Sequence, residues 1–247
     1  MELREQIVKE GNWLFRYRGS LVPLLLIMLF LPAVRNFAYP GHSHRLNQLW
    51  EIGCLGISLL GLGVRIYTIG CTPRRTSSRN TTKQVSDVLN TTGMYSIVRH
   101  PLYLGNFLIL LGISLSVLCW WFTLITVLLY WLCYERIMLT EEGFLRGKWG
   151  DTFLKWAEET PCILPKFKNW KSPSLPFSLK AGIKKEYHRF FIIVAAFTFI
   201  DAIKERIVQG KFVLDLPWEV MFPFALFTYI LIGLLKKKTK VLVVEGR

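Results

Sequence analysis

The apolar residues of this chain fall in blocks about as long as a bilayer is thick, and its basic residues collect between the blocks. A crossing helix needs about 20 predominantly apolar residues. A soluble domain of the same length would instead spread its apolar residues at helical or strand period. Of the 247 residues, 52% are hydrophobic, and their clustering predicts an all-α, polytopic membrane protein.

The blocks predict about six transmembrane helices. The first runs from Ser20 to Ala38 and the second from Leu49 to Ile69, the latter carrying Gly53, Gly56, Gly61 and Gly63. Such small residues let helices approach closely. Pro101 to Leu139 is too long for one crossing and reads as a helical hairpin turning near Ser116 to Trp121. Arg189 to Arg206 is a poorer fifth span, interrupted by Asp201, Lys204, Glu205 and Arg206, and Pro217 to Leu235 is the sixth. The expected organisation is an interfacial segment over 1–19, a membrane core over 20–165 and a cytoplasmic linker over 166–188. Two additional helices and a basic tail then occupy 189–247. In the first segment Leu3, Ile7, Trp13, Leu14 and Phe15 fall near helical spacing, as in a helix lying on the membrane surface. It mixes both charge signs and is followed by no small-residue cleavage site, so it is not read as a cleavable signal.

The formal net charge is +14, from 31 Lys and Arg against 17 Asp and Glu. Nucleic acid is set aside as a partner, because the excess lies beside the apolar blocks, where topology and anionic head groups account for it. Arg74, Arg75, Arg79, Lys83 and Arg99 stand in one long loop and many lysines in the 140–188 segment, whereas the opposite turns hold Arg45 and Lys211. The positive-inside rule then places both termini and both large loops in the cytoplasm, at the inner membrane if the source is bacterial. The Asn80 and Asn90 glycosylation patterns would face away from the glycosylation machinery. The five cysteines are scattered without a C-x-x-C, so neither a disulfide framework nor a metal centre is expected. His42 and His44 form an H-x-H with no further ligand nearby in the sequence.

The stretch from Gly93 to Gly105, Gly-Met-Tyr-Ser-Ile-Val-Arg-His-Pro-Leu-Tyr-Leu-Gly, carries more polar and special residues than a segment merely entering a bilayer requires. Pro101 suits the first turn of a helix, where its missing N–H costs nothing. The helix N-terminus and Arg99 then form a corner that attracts a carboxylate or phosphate. Tyr103 and Asn106 share a face of that helix. Gly105 and Gly112 leave a bare flank for a flat ligand or another backbone. Glu141 and Glu142 stand where the hairpin returns to the same surface, able to accept ribose hydroxyls or favour a cation. A ligand with a carboxylate, a ribose, an adenine and a sulfonium matches all of these features, and S-adenosylmethionine is such a ligand.

Gly93-x-Tyr95, Arg99-His100-Pro101-x-Tyr103-x-Gly105 and Glu141-Glu142, followed by Gly150, Pro161 and Pro165, resemble the isoprenylcysteine carboxyl methyltransferase family and its phospholipid methyltransferase relatives. The resemblance spans about Leu49 to Pro165 and implies a cytosol-facing S-adenosylmethionine pocket with the lipid substrate entering from the bilayer. It also implies that Tyr95, Arg99, His100, Tyr103, Gly105, Glu141 and Glu142 contact the cofactor. The lead-in to Gly93 is similar to bacterial members that methylate phosphate on lipid A. The two helices after Arg189 depart from the minimal family pattern. Methyl transfer to an anionic phosphate or carboxylate oxygen needs alignment and charge neutralisation, whereas an amine must first lose a proton. Richness in Arg and Lys favours the anionic oxygen of a membrane lipid or lipidated acceptor, with Arg99, His100, Arg136 and Arg146 as the groups meeting the reaction. Alternatives are phospholipid N-methylation, an NADPH-dependent membrane reductase, and a transporter or scaffold; the last would place polar residues through the membrane midplane rather than at one face.

Overall fold

The computed structural model describes residues 21–73, 76, 86–239, 241, 242 and 244, together with Trp13 and Leu14. The expected interfacial helix over 1–19, apart from the helical Trp13 and Leu14, lies outside the described residues, as do Arg74, Arg75, Arg79, Lys83 and Asn80. The described chain is helical: α1 (Leu21–Val34), α2 (His44–Gly70), α3 (Met94–Ile97), α4 (Pro101–Ser116), α5 (Trp120–Trp149), α6 (Asp151–Glu159), α7 (Leu179–Gln209) and α8 (Leu216–Lys238), with short 3₁₀ turns at Pro40–His42 and Phe167–Asn169.

Three stretches among the described residues are long and apolar enough to cross a membrane, His44–Gly70, Trp120–Glu159 and Leu216–Lys238. The chain is an integral membrane protein, and of the six expected spans three stand among the described residues as helices of spanning length and composition. The described part of α1 has 14 residues and α4 has 16, so at about 1.5 Å per residue each falls short of a hydrocarbon core of about 30 Å. The hairpin does turn where its apolar run suggested, between Ser116 and Trp120. α7 begins ten residues before Arg189 because Ser178 caps it, accepting from Ala181 N at 3.4 Å. It carries too many charges to count as an apolar span.

α4 runs antiparallel against α2 at close range, and α7 packs on the other side of α2. The close approach requires glycine. A Cβ at Gly61 would lie 2.5 Å from the carbonyl oxygen of Gly105, and one at Gly105 would lie 2.7 Å from that of Gly61. At Gly112 a Cβ would meet the Cys54 carbonyl at 2.4 Å. The bare flank of α4 is therefore filled by a backbone, that of α2. Gly53, Gly56 and Gly63 have open space instead.

The interior is not uniformly apolar. Arg65, 4% exposed, donates to both oxygens of Glu186 on α7 at 2.9 and 3.0 Å, and to Leu102 O and Asn106 Oδ1 on α4, each at 2.9 Å. At the opposite end of α2, Asp201, Lys204 and Glu205 are fully buried rather than lying at a salt-bridged helix end in the interface, while Arg206 is exposed. Polar groups thus occupy both ends of the bundle, not one face alone.

Replacing Gly61 by Val forces α2 and α4 apart. The expected cost is about 1–3 kcal/mol of stability, as for other overpacked contacts. Gly63→Ala, with nothing near its Cβ, should leave the unfolding midpoint of the detergent-purified protein unchanged; equal effects of the two substitutions would refute this packing.

Candidate functional site

The segment before α4 is held by backbone hydrogen bonds to the stretch that follows α6. Gly93, at φ +59°, donates to Lys171 O at 2.9 Å, a backbone geometry open chiefly to glycine. Lys171 N donates to Ser96 Oγ, Arg99 N to Pro161 O, and Lys166 N to Ile97 O, each at 2.9 Å. α5 ends at Gly150, and the amphipathic α6 folds back so that buried Phe153 and Trp156 roof the site, Trp156 Nε1 donating to Tyr95 O at 3.1 Å. Pro101 opens α4 as expected, which sets His100 at the helix N-cap.

Beneath this roof is a half-open cavity lined by Tyr95, Arg99, His100, Tyr103, Glu141 and Glu142 among others. Its charged groups pair across it. Arg99 meets Glu142 at 3.1 Å, His100 Nε2 meets the other oxygen of Glu142 at 3.0 Å, and Tyr103 donates to Glu141 at 2.7 Å. His100 Nδ1 lies 3.7 Å from Glu141. Arg99 Nε is enclosed without a hydrogen-bond partner among the described residues, an unspent donor in the cavity wall. Burial alone would lower the His100 pKa, but hydrogen bonding with Cys162 and Glu142 and the field of Glu141 raise it to about 9. At neutral pH this favours the protonated ring. His100, Glu142 and Cys162 also bring three ligand-type atoms within 4.8 Å; the guanidinium on the same carboxylate opposes a cation.

Of the residues named from the sequence, Tyr95, Arg99, His100, Tyr103, Glu141 and Glu142 come together, although Arg99 and Glu142 are 43 positions apart. Gly105 does not line the cavity; it faces Gly61 and Arg65 in the helix contact. Arg136 donates to Leu132 O of its own helix and Arg146 is exposed, and neither lines the cavity. Sequence reading missed Phe144, Phe153, Trp156 and Leu89 in the wall and Cys162 beside Glu142. The amphipathic spacing of Phe153 and Trp156 was the available signal; Cys162 carried none. A smaller apolar pocket adjoins His100 and Tyr103, walled by Phe107, Tyr130, Trp131 and Met138.

Fold and site together define a helical integral membrane protein with a polar cleft at one end of its bundle. Residues 53–152 match the phospholipid methyltransferase family, in line with the resemblance carried by the motif. Among curated proteins, the chain is 31% identical over 137 residues to the cobalt-zinc-cadmium resistance protein CzcN of Cupriavidus metallidurans, covering 54% of this chain and 59% of that one. It is 28% identical over 134 residues to the nickel-cobalt-cadmium resistance protein NccN of Alcaligenes xylosoxydans xylosoxydans, covering 54% and 60%. It is also 28% identical over 119 residues to the protein-S-isoprenylcysteine O-methyltransferase of Schizosaccharomyces pombe, covering 48% and 50%. The chain thus spans between half and six tenths of the length of these relatives. No solved structure matches it.

Because the folded pKa of His100 lies above its ordinary 6.5, the stability it contributes is complete below 6.5 and is lost as pH rises through about 9. The thermal midpoint of the wild type should therefore fall between neutral pH and about pH 10 more steeply than that of His100→Gln. Parallel pH profiles for the two proteins would show that the ring carries no extra proton.

Proposed function

We propose that this protein is an S-adenosylmethionine-dependent methyltransferase acting on an anionic oxygen, phosphate or carboxylate, of a membrane lipid or lipidated acceptor. The observation that carries the reading is the convergence of six motif residues on one cavity, within a core that matches a methyltransferase family. Its donor set fits the proposed group: Arg99 with its unspent Nε for a carboxylate, Glu141 and Glu142 for hydroxyls or a positive centre, and Tyr95, Tyr103 and Trp156 for a flat ring. Bound there, S-adenosylmethionine would supply a methyl carbon already activated by its sulfonium.

The chain's own residues then have three tasks. Glu141 and Glu142 hold negative charge beside the cavity, while Arg99 and protonated His100 oppose the charge of an incoming oxygen. The roof of Phe153 and Trp156 limits water. Tyr130 and Tyr134, stacked at 4.0 Å between ring centres, fix Tyr103, because Tyr130 donates to Tyr103 O at 2.6 Å and the ring of Tyr134 meets that of Tyr103 edge-on. Exposed Arg146, one turn past Glu142, is placed to meet a head group outside the mouth. With six passes through the membrane, the balance of positive loops sets the cavity and both termini on the cytoplasmic side. A protonated His100 favours an anionic oxygen over an amine; the family's phospholipid name keeps phospholipid N-methylation as the second reading.

Calorimetry on the purified protein should show saturable S-adenosylmethionine binding, weakened at least about tenfold in Glu142→Ala and Arg99→Ala, the loss expected for a charge-assisted hydrogen bond of roughly 1.5–3 kcal/mol. Methyl-labelled S-adenosylmethionine incubated with membrane lipids should yield a labelled lipid whose mass reports oxygen or nitrogen methylation. A well-folded sample that binds no S-adenosylmethionine would sink the reading.

A further inference from the structure

The far end of the bundle holds a second cluster of chemistry-bearing side chains that methyl transfer does not use. Asn47 and Arg65 are 18 residues apart on α2, which separates the two ends by about 27 Å at 1.5 Å per residue. Three chain segments meet there: the start of α2 with His44, the end of α7 with Asp201 and Glu205, and the turn into α8 with Asp215. The H-x-H that looked isolated in the sequence gains partners through the fold. His44 Nε2 lies 2.8 Å from Asp215 Oδ1 and 3.6 Å from Glu205 Oε1.

Charge is out of balance in this cluster. Lys204 is committed to Glu51 at 2.8 Å, to Asn47 at 3.1 Å and to the face of Phe37. Asp201, Glu205 and Asp215 then have no lysine or arginine partner among the described residues. Two of their oxygens, Asp201 Oδ1 and Asp215 Oδ2, are buried with no hydrogen-bond partner among the described residues, and the two residues are 0% and 8% exposed. A buried carboxylate oxygen left unpaired is costly, which is the independent sign of a missing positive partner.

We propose that His44, Glu205 and Asp215 form a binding site for one divalent transition-metal ion that clips the α7–α8 hairpin to the start of α2, with Asp201 holding Asp215 from behind. One imidazole nitrogen and two carboxylates, with water in the fourth position, suit zinc or cobalt rather than calcium or magnesium. Ligand-type atoms of His44, Glu205 and Asp215 lie within 4.8 Å of one another, as do those of Glu51, Asp201 and Asp215, so Asp215 joins the two sets. Ligands about 2.0–2.1 Å from a tetrahedral ion are about 3.4 Å apart; the 3.6 Å between His44 and Glu205 already fits, and Asp215 has only to turn away from its direct bond to the ring. Outer contacts hold the ligands in place. Tyr39 donates to both oxygens of Glu205 at 2.8 Å, Gln209 donates to the same group, and Asp201 Oδ2 accepts from Asp215 N at 3.0 Å. The His44 side chain, 39% exposed, provides a way in from solvent.

The site is independent of the methyl-transfer reading, and the test keeps them apart by using the metal alone. Chelator-stripped, full-length protein in detergent is titrated with Zn²⁺ and with Co²⁺. A single saturable ion per chain is expected, with the visible absorption of four-coordinate Co²⁺ and a higher thermal midpoint. His44→Ala and Asp215→Asn should each weaken binding at least about tenfold, while exposed His42→Ala binds as wild type. Should Asp215→Asn fail to fold, His44→Ala, at the partly exposed ligand, decides. The proposal is overturned if well-folded protein binds no ion, if His44→Ala binds as wild type, or if His42→Ala loses as much as His44→Ala. A midpoint raised by Asp201→Asn in a protein indifferent to metal would assign the cluster to a shared proton and likewise overturn it.

Discussion

The Arg65 guanidinium is the interaction on which the rest of the structure depends. It holds Glu186 with two hydrogen bonds and reaches Leu102 O and Asn106, so one buried cation ties α2, α4 and α7 together. Asn106 in turn reaches Tyr134 on α5 at 3.4 Å. A buried ion pair contributes little net stability over an apolar substitute, but losing one partner leaves an uncompensated charge, at a cost of about 3–5 kcal/mol. Its effect here is on geometry. Leu102 lies in the first turn of α4, so the hydrogen bond that holds its carbonyl also sets where His100 and Tyr103 stand.

That anchoring explains how a helix too short to cross a bilayer by itself keeps its place. α4 is clamped at its N-terminal turn by Arg65 and along its flank by the Gly61–Gly105 and Gly112–Cys54 backbone contacts. Close backbone approach compensates for length, because van der Waals packing, rather than a hydrophobic drive, holds helices together in lipid. The cleft is assembled against this fixed helix, with α3 held by the 161–171 stretch and α6 laid over it.

Much of the site was legible in the sequence. Pro101 marked the helix start, and the hairpin length returned Glu141 and Glu142 to the same end, so six cavity residues could be named before the fold was known. Gly105 was misplaced among them, because a glycine that permits a ligand and one that permits a neighbouring helix look alike in a single chain. Span length was ambiguous for a related reason. An apolar run of 14 to 18 residues is equally suited to a crossing helix and to one buried among others, and only the packing partners separate the two. Asp201, Lys204 and Glu205 look in the sequence only like interruptions at the end of a span, because their partners, Glu51, His44 and Asp215, are supplied from elsewhere in the chain.

The sequence by itself determined the solvent and the local chemistry: long apolar blocks require helices in lipid, and the residues around Pro101 define a polar helix start. These are short-range properties, set within a turn or a span. Tertiary structure alone decided which charges face each other, pairing Arg99 and His100 with Glu142, Arg65 with Glu186, and His44 with Asp215. The physical reason is that a charge removed from water must find its partner in space, and in a helical bundle that partner stands on another helix, tens to more than a hundred residues away in the chain.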